Sequence, residues 1–582
     1  MYKVFIITLL SLVSVSIYAQ KTASGKVFDS LTKEPIVGAT VSNLTKSVGT
    51  TTDINGNFTL KTDDTKVLVS FIGFETLEME ATEKMAISLT PSVQNLQNVI
   101  VTANREASLR TTAPIAISKV SAQLIDEAKP TSAYEVVNKA AGVLMVSLNN
   151  EQHSMSIRQP MTTNAYFLYM EDGIPIRPLG VFNHNSILEM NQFTVSSIEV
   201  VKGPVSSIYG AEAVGGAVNF ISQRPTAIPT ARIGVQFDQW GYKRLQYGGG
   251  ATIGKFGFYV GGLVSQQRNS WFTSSDYDKN AQYARLEYNF SPKTHLIGTL
   301  SYADYDSQTS GSVDSIAFYT RQYVSTTGFT YRKSYSLRTR LTLEHSWNDK
   351  AQTFITAFGR DNKHGQNPAY AIRWTSGAAT ATGQINSNDF QSLGLIAQHS
   401  QKFNFLNSKL IIGGVVDFSP NKYYAYRTDL AAELRADKKS VIKYTPVKER
   451  PDIKLANYNA DIHNTAAYLQ YDMNPLPHLR LSFGGRYDKM AFDYTNYLDT
   501  TEGGKNYAKF SPKLGLTYEI MPNVGVYANY SKGFSPPALT AIFVKRLVPT
   551  PTGELFYYNL QPALFDNTEL GGWASFWKIK FI

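Results

Sequence analysis

The stretch His478–Met490, HLRLSFGGRYDKM, alternates with a period of two: Leu479, Leu481, Phe483 and Tyr487 fall on one face, and Arg480, Ser482, Arg486 and Asp488 on the other. Successive side chains of a strand point to opposite faces, so this reads as a strand with one apolar and one polar side. Ser334–Trp347 repeats the pattern, with Leu337, Leu341 and Leu343 opposed to Arg338, Arg340 and Glu344. From Ala231 onward about fourteen such segments follow, each near the roughly 9–11 residues that a tilted transmembrane strand needs. Alternation alone also suits a soluble sandwich, whose apolar face meets a partner sheet. Loop lengths separate the two. The joins near Gly254-Lys255, Ser291-Pro292, Asn348-Asp349, Pro475–Pro477 and Met521-Pro522 are tight, whereas Ser265–Asn280, Asp304–Arg332, Asp361–Asn386, Pro420–His463 and Ser531–Asp566 read as long loops. Tight turns at one end and long loops at the other are the asymmetry of an outer-membrane barrel. Backbone in lipid must be fully paired, so such strands have to close on themselves.

Composition agrees. The 582 residues include 35 Tyr, 31 Phe and 41 Gly with only 18% charged residues, a mixture that favours β-structure. Mean hydropathy is −0.21, and after the extreme N-terminus no run of about 20 apolar residues could span a bilayer as a helix. The absence of cysteine excludes disulfide scaffolds, thiolate metal sites and cysteine nucleophiles. A net charge of +10 without a long Lys/Arg tract argues against a nucleic-acid partner. Lys3, the apolar stretch Val4–Ile17 and the small residues of SIYA at Ser16–Ala19 read as a signal peptide of residues 1–19, cut before Gln20. The mature chain is therefore expected to be exported.

Residues 20–90 read as a small β-sandwich of short strands and tight turns. Asn55-Gly56 suits a type I′ hairpin turn, in which both central residues take positive φ. Asp53, Asn55 and Asn57 match the opening of a calcium loop, but Phe58 stands where that loop needs glycine and Asp64 where it needs glutamate, so the turn reading is preferred. Residues 91–112 form a link containing LQNVIVTANR, in which Val99, Ile100 and Val101 are a compact β-forming run. An extended segment with free backbone hydrogen bonds can be added as a strand to a partner's sheet. Residues 113–228 read as mixed α/β, with helices at SAQLIDEA and TSAYEVVNKAAG, Thr131 or Ser132 as N-cap and Gly142 as C-cap. Strands follow at YFLYMEDGIPI and around IEVVKGPVSSIYGAEAVGGAVNFIS, where Gly203, Gly210, Gly215 and Gly216 punctuate apolar runs. No phosphate-loop or GxGxxG spacing is present, which argues against a nucleotide site.

EDGIPIRP, FNHN and IEVVKGPVSSIYGAEAVGGAVNFIS together resemble the plug domain of TonB-dependent outer-membrane receptors, and residues 24–89 resemble the carboxypeptidase regulatory-like domain that precedes many such receptors in Bacteroidetes. No zinc-binding HExxH accompanies it, so peptidase activity is not implied, and no GxSxG or other enzyme motif is found. The resemblance implies a mainly β chain: a small N-terminal β-sandwich, an α/β plug and an antiparallel transmembrane β-barrel over residues 229–582, with about 14 of an expected 22 strands. It also implies a TonB box at Val99, Ile100, Val101, Thr102 and Ala103, with TonB and outer-membrane lipid as partners and no cofactor.

The expected function is active uptake of a scarce ligand, a ferric siderophore first, with cobalamin, haem, peptide or glycan as alternatives and a passive porin or barrel-anchored adhesin as the reading from another class. Arg158, Gln159 and Tyr166 on one plug loop, and Asn183, His184 and Asn185 on another, are the candidate ligand residues of the plug. Arg158 is suited to an anionic oxygen and His184 to a hydrogen bond. Tyr423, Tyr424, Tyr426, Trp271, Phe272, Tyr319 and Tyr323 are candidates for an aromatic lining on the loops. Glu199, Lys202, Gly203, Gly210, Gly215 and Gly216 are assigned to plug packing. Lys438, Lys439, Lys443, Lys448, Arg450 and Lys454, diluted by Glu433, Asp437, Glu449 and Asp452, form a basic group on the longest expected loop, suited to anionic sugars or ligands. The strand count and the ending WASFWKIKFI carry the expectation of a truncated chain whose first and last strands do not pair.

Overall fold

The computed structural model describes residues 21–30, 33–44, 48–53, 55–71, 74–90, 99–100, 102–103, 105–106, 108–148, 150, 152–181, 184–226, 229–521, 524–543, 545–547, 555–557, 559–576 and 579–581. The expected signal peptide, Val101 and Asn183 lie outside them. Residues 1–99 and 100–582 form two separately compact units.

The first unit is a two-sheet sandwich. Lys21–Asp29 lies between Asn57–Thr62 and Met85–Leu89, and the second sheet runs in the order Gly49–Thr51, Thr40–Asn43, Lys66–Ser70, Leu77–Glu80. Alternate residues of Asn57–Thr62 turn inward, and Val27, Val41, Phe58, Leu60, Val67, Val69 and Ile87 make one core. Each such side chain contributes about 1.5–3 kcal/mol by leaving water. The Asn55-Gly56 turn differs from expectation. Gly56 alone of the two takes positive φ, at 77°, and its N–H donates to the Asp53 carbonyl. The Asp53 carboxylate accepts the backbone N–H groups of Asn55 and Asn57 at 2.9 and 2.8 Å, so the candidate calcium ligand is spent on the turn itself.

The second unit begins with the plug, a five-stranded sheet in the order Ala116–Ser121, Val195–Lys202, Gly216–Ser222, Phe167–Glu171, Ile174–Pro175. Both expected helices form, at Ala122–Ala128 and Ala133–Val137, and Ser132 caps the second in a reciprocal box with Glu135. The stretch YFLYMEDGIPI folds back on itself as a hairpin at Asp172-Gly173, both in positive φ.

Around the plug runs a single antiparallel sheet of fifteen strands in sequence order, from Thr230–Phe237 to Ile579–Phe581, with Arg373–Trp374 paired to one side. No ladder among the described residues joins the first strand to the last. The faces have the inverted burial of a membrane barrel. Large apolar residues face out, Leu341 52% exposed and Leu393 71%, whereas Ser334, Arg338, Arg360 and Asp488 are buried on the inner face. In the strand Leu479–Asn496, Phe483 and Tyr487 are exposed and Ser482, Arg486 and Asp488 buried, as the alternation predicts.

Strand length departs from the expectation. Tight turns fall at Gly254-Lys255, Ser291-Pro292 and Asn348-Asp349, but of the expected loops Asp361–Asn386 and Pro420–His463 are mostly strand. Ser408–Leu434 and Val441–Leu476 pair across most of Pro420–His463, which leaves only residues 435–440 as a turn. Tyr331–Asn348, Ala351–Asn367 and Thr380–Phe403 shorten the neighbouring loops in the same way. At about 3.3 Å per residue, the 27 residues of Ser408–Leu434 extend well past a hydrocarbon core about 30 Å thick.

Candidate functional site

Where the long connections gather, plug and barrel leave a cavity of about 960 Å³. Trp240, Trp271, Phe272, Tyr370 and Tyr444 give it aromatic walls, and Arg332 and Gln152 contribute polar groups. Trp271 packs edge-on to Tyr323, with ring centroids 5.0 Å apart, and lies against Phe272 at 5.7 Å. The sequence therefore located this aromatic wall in part. Trp240, Tyr370, Tyr444 and Arg332 were not singled out; their signal is position, each lying in or next to a join at this end of the barrel. Tyr319, 82% exposed, stands away from the cavity.

A second cavity, of about 440 Å³, brings together Tyr166 and Tyr423, two of the sequence candidates, with Tyr458, Glu212 and Asn421. Tyr423 stacks on Tyr458 at 5.3 Å. Tyr424 and Tyr426 are held elsewhere, 5.8 Å from one another, with the Tyr426 hydroxyl donating to Glu449 at 2.8 Å. Of the basic group, the lysines stand exposed and Arg450 is bound to Asp452 at 2.6 Å and Asp429 at 3.4 Å.

Of the other plug candidates, Arg158 and Asn185 are committed to protein partners, whereas the buried amide nitrogen of Gln159 has no hydrogen-bond partner among the described residues. Arg158 donates to Glu569 of the barrel at 2.8 Å, and Tyr527 and Asn529 donate to the same carboxylate. Gly203 lies beside this pair; an added Cβ there would stand 3.8 Å from Glu569 Oε2. Lys202 is held below its usual range first by burial and then by Arg110 and Arg158. Gln159 lies against Gly215, where any Cβ would collide with its amide. Gly216, at φ +156°, brings the chain against the Val201 carbonyl. Asn185, 1% exposed, accepts from Arg177 at 2.7 Å, and Arg177 also binds Glu189 at 2.6 Å. His184 approaches Gln152 at 3.5 Å; burial first, then His153, Arg177 and Arg332, lower its pKa to about 3, so the ring is neutral.

The plug is fastened to the barrel from several sides. Arg338 reaches Glu171 at 3.0 Å and Glu189 at 3.3 Å, Arg340 reaches Asp172 at 2.9 Å, and Arg486 donates to the Ile208 carbonyl at 2.8 Å while paired with Asp488. At Gly210, with φ +88°, an added Cβ would meet both Arg486 and Asp488 at 2.9 Å, so the Arg486 contact requires glycine there.

The expected box segment is not free. Ile100, Thr102 and Ala103 are buried. Glu199 Oε2 accepts the Thr102 N–H at 2.8 Å and the Thr102 hydroxyl at 2.6 Å, and Asn219 donates to that hydroxyl at 3.0 Å. Glu199, expected to pack plug on barrel, instead holds this segment to the plug. Arg105 follows, lying 4.3 Å from the Tyr209 ring centre, and Glu106 pairs with Lys409 of the barrel.

Three family models match the chain: a CarboxypepD_reg-like domain over residues 23–101, a TonB-dependent receptor plug domain over 110–217 and a TonB-dependent receptor-like β-barrel over 311–573. The ferrioxamine B receptor of Salmonella typhimurium strain SL1344 is 22% identical over 502 residues, which is 80% of this chain and 66% of the relative. The chain thus spans just under two thirds of the length of the curated relatives it matches. Among solved structures, P. aeruginosa FpvA bound to a heterologous pyoverdine superposes with a TM-score of 0.68 at 18% identity, over 84% of this chain and 66% of that one. The siderophore receptor PiuA from Acinetobacter baumannii gives 0.61 at 17%, over 81% and 71%. These likenesses establish the fold.

Proposed function

This chain belongs to the TonB-dependent receptors, barrel proteins of the bacterial outer membrane and not enzymes, and from that premise we propose that it takes up a scarce ligand, a ferric siderophore, with energy drawn through TonB. The observation that supports this most directly is the order of parts within residues 100–582. A roomy aromatic cavity lies where the long connections gather, a folded plug fills the barrel beneath it, and Thr102 of the expected box is latched onto that plug by Glu199. A filled barrel needs work to pass a large solute, and the latched segment is the handle on which a partner sheet would pull once Glu199 releases it. Matching siderophore receptors among the relatives support the ligand class. A passive porin would have no use for a plug held by Arg338, Arg340, Arg486 and Arg158 together.

Deletion of Val99–Ala103 tests the reading. Uptake of radioiron chelates by cells is expected to be abolished, while chelate binding at the cell surface persists. Uptake that survives the deletion would reject energisation through this segment.

A further inference from the structure

We propose that the large cavity is an anion site read by Arg332, and that the receptor's ligand is a net-negative, oxygen-rich chelate and not a neutral or cationic one. This rests on the reading that the cavity is where the ligand binds.

The argument begins with an imbalance. Arg332, near the start of the strand Tyr331–Asn348, is 2% exposed and lines the cavity, yet its Nε and Nη1 have no hydrogen-bond acceptor among the described residues. The other arginines buried to this degree are partnered. Arg177 has Glu189, Arg338 has Glu171 and Glu189, Arg360 has Asp417, Arg486 has Asp488, and Arg244 has the Pro130 carbonyl and Gln236. The carboxylates of the cavity wall are turned to other donors and leave Nε and Nη1 unpaired. Glu135 accepts from the Ser132 N–H and the Thr131 hydroxyl, and Asp238 accepts the N–H groups of Trp240 and Tyr242. Arg177, which also acts on Arg332, is itself positive and opposes its charge. A buried guanidinium without an acceptor is costly, and an anionic, planar carboxylate or catecholate oxygen pair would fill its donor fork. Trp240, Trp271 and Tyr370 around it offer flat apolar surface to the rest of such a ligand.

The test uses the purified full chain in detergent and reads quenching of intrinsic tryptophan fluorescence. The probes are ferric citrate and ferric enterobactin as anions, ferrichrome as a neutral chelate and ferrioxamine B as a cation. At least one anionic probe is expected to bind at least tenfold more tightly than the neutral and cationic ones. Arg332→Gln should weaken that probe at least tenfold, with part of the affinity restored in Arg332→Lys. The melting temperature without ligand should not fall in Arg332→Gln, because no internal partner is orphaned; a clear fall would mean a structural role and overturn the proposal. It is also overturned if neither anion binds, if the neutral or cationic probe binds as well, or if Arg332→Gln is silent. Binding needs no TonB, so the two readings fail separately. Arg332-dependent binding without cellular uptake rejects the transport reading alone, and uptake indifferent to Arg332 rejects this one alone.

Discussion

His184 shows how far a residue's surroundings can move it from the role its type suggests. A histidine on a plug loop reads as a group that gains a proton near neutral pH. Here burial, His153, Arg177 and Arg332 all oppose the charge and lower its pKa to about 3. The sign follows. With a folded pKa below the unfolded value of about 6.5, the unfolded chain binds the extra proton between the two values, so stability is complete above about 6.5 and is lost as pH falls toward 3. The loss runs at about 1.4 kcal/mol per pH unit inside that window. His184→Asn is expected to flatten the fall in melting temperature of the detergent-solubilised protein between pH 6.5 and 4; an unchanged slope would place the titrating group elsewhere. At this scale the sequence is least informative about partners. Arg158 is recognisable as a charged residue on a plug loop, but the carboxylate that takes it, Glu569, lies 411 residues away and only the folded sheet around the plug brings it near. Arg332 is the converse case, since an absent acceptor leaves no trace in the chain.

The strand Tyr331–Asn348 carries Arg332, Ser334, Ser336, Arg338 and Arg340 on its inner face, so one element both borders the cavity and grips the plug. Arg338 sits between two plug carboxylates, Glu171 and Glu189. Removing one member of a buried charge network leaves the others uncompensated, which costs about 3–5 kcal/mol. Ser301 still donates to Glu171, and Asn362 and Arg177 to Glu189, so Arg338→Ala should fall near the lower figure. The measurement is protease cleavage of the plug as denaturant rises, and an unshifted midpoint would show that these ion pairs do not hold the plug. The same strand marks where sequence reading works. Inside the membrane its outer face meets lipid and its inner face meets polar plug, so the alternation is sharp. Beyond the membrane both faces meet water. The stretch 441–457 has no buried residue, so its sequence reads as loop although its backbone pairs, with bulges, along residues 424–434. The Ser132 N-cap was legible for the opposite reason, since Ser132 and Glu135 satisfy backbone donors locally, whereas the helix closes at Asn138 and not at the expected Gly142.

At the scale of residues 100–582, the inner face of the barrel is wet chemistry and the outer face an apolar belt, and the plug converts buried charge into attachment. Arg158, Arg338, Arg340 and Arg486 grip it at separate places. A solute leaving the large cavity therefore has to pass a plug that either shifts as a whole or yields locally. The contact between Asp126 on the first plug helix and Arg232 on the first barrel strand distinguishes these, because it is exposed on both sides and neither residue lines the cavity. An exposed pair contributes at most about 1 kcal/mol, so replacing both residues should be harmless by itself. The chain has no cysteine, and Asp126→Cys with Arg232→Cys would provide its only thiols. Joined by a bifunctional thiol crosslinker, the two elements cannot part. If the plug leaves its seat as one body, crosslinked cells should lose uptake while still binding chelate, and each single-cysteine variant treated alike should transport normally. If the yielding part is local, confined to the strands near Thr102 and Glu199, the crosslink should leave uptake intact. The Glu199 latch favours the local outcome, since it ties the pulled segment to Val195–Lys202, an inner strand of the plug sheet, and not to the helix that Asp126 occupies. We therefore expect crosslinked cells to retain most of their uptake, and complete loss would mean that the plug moves as a unit.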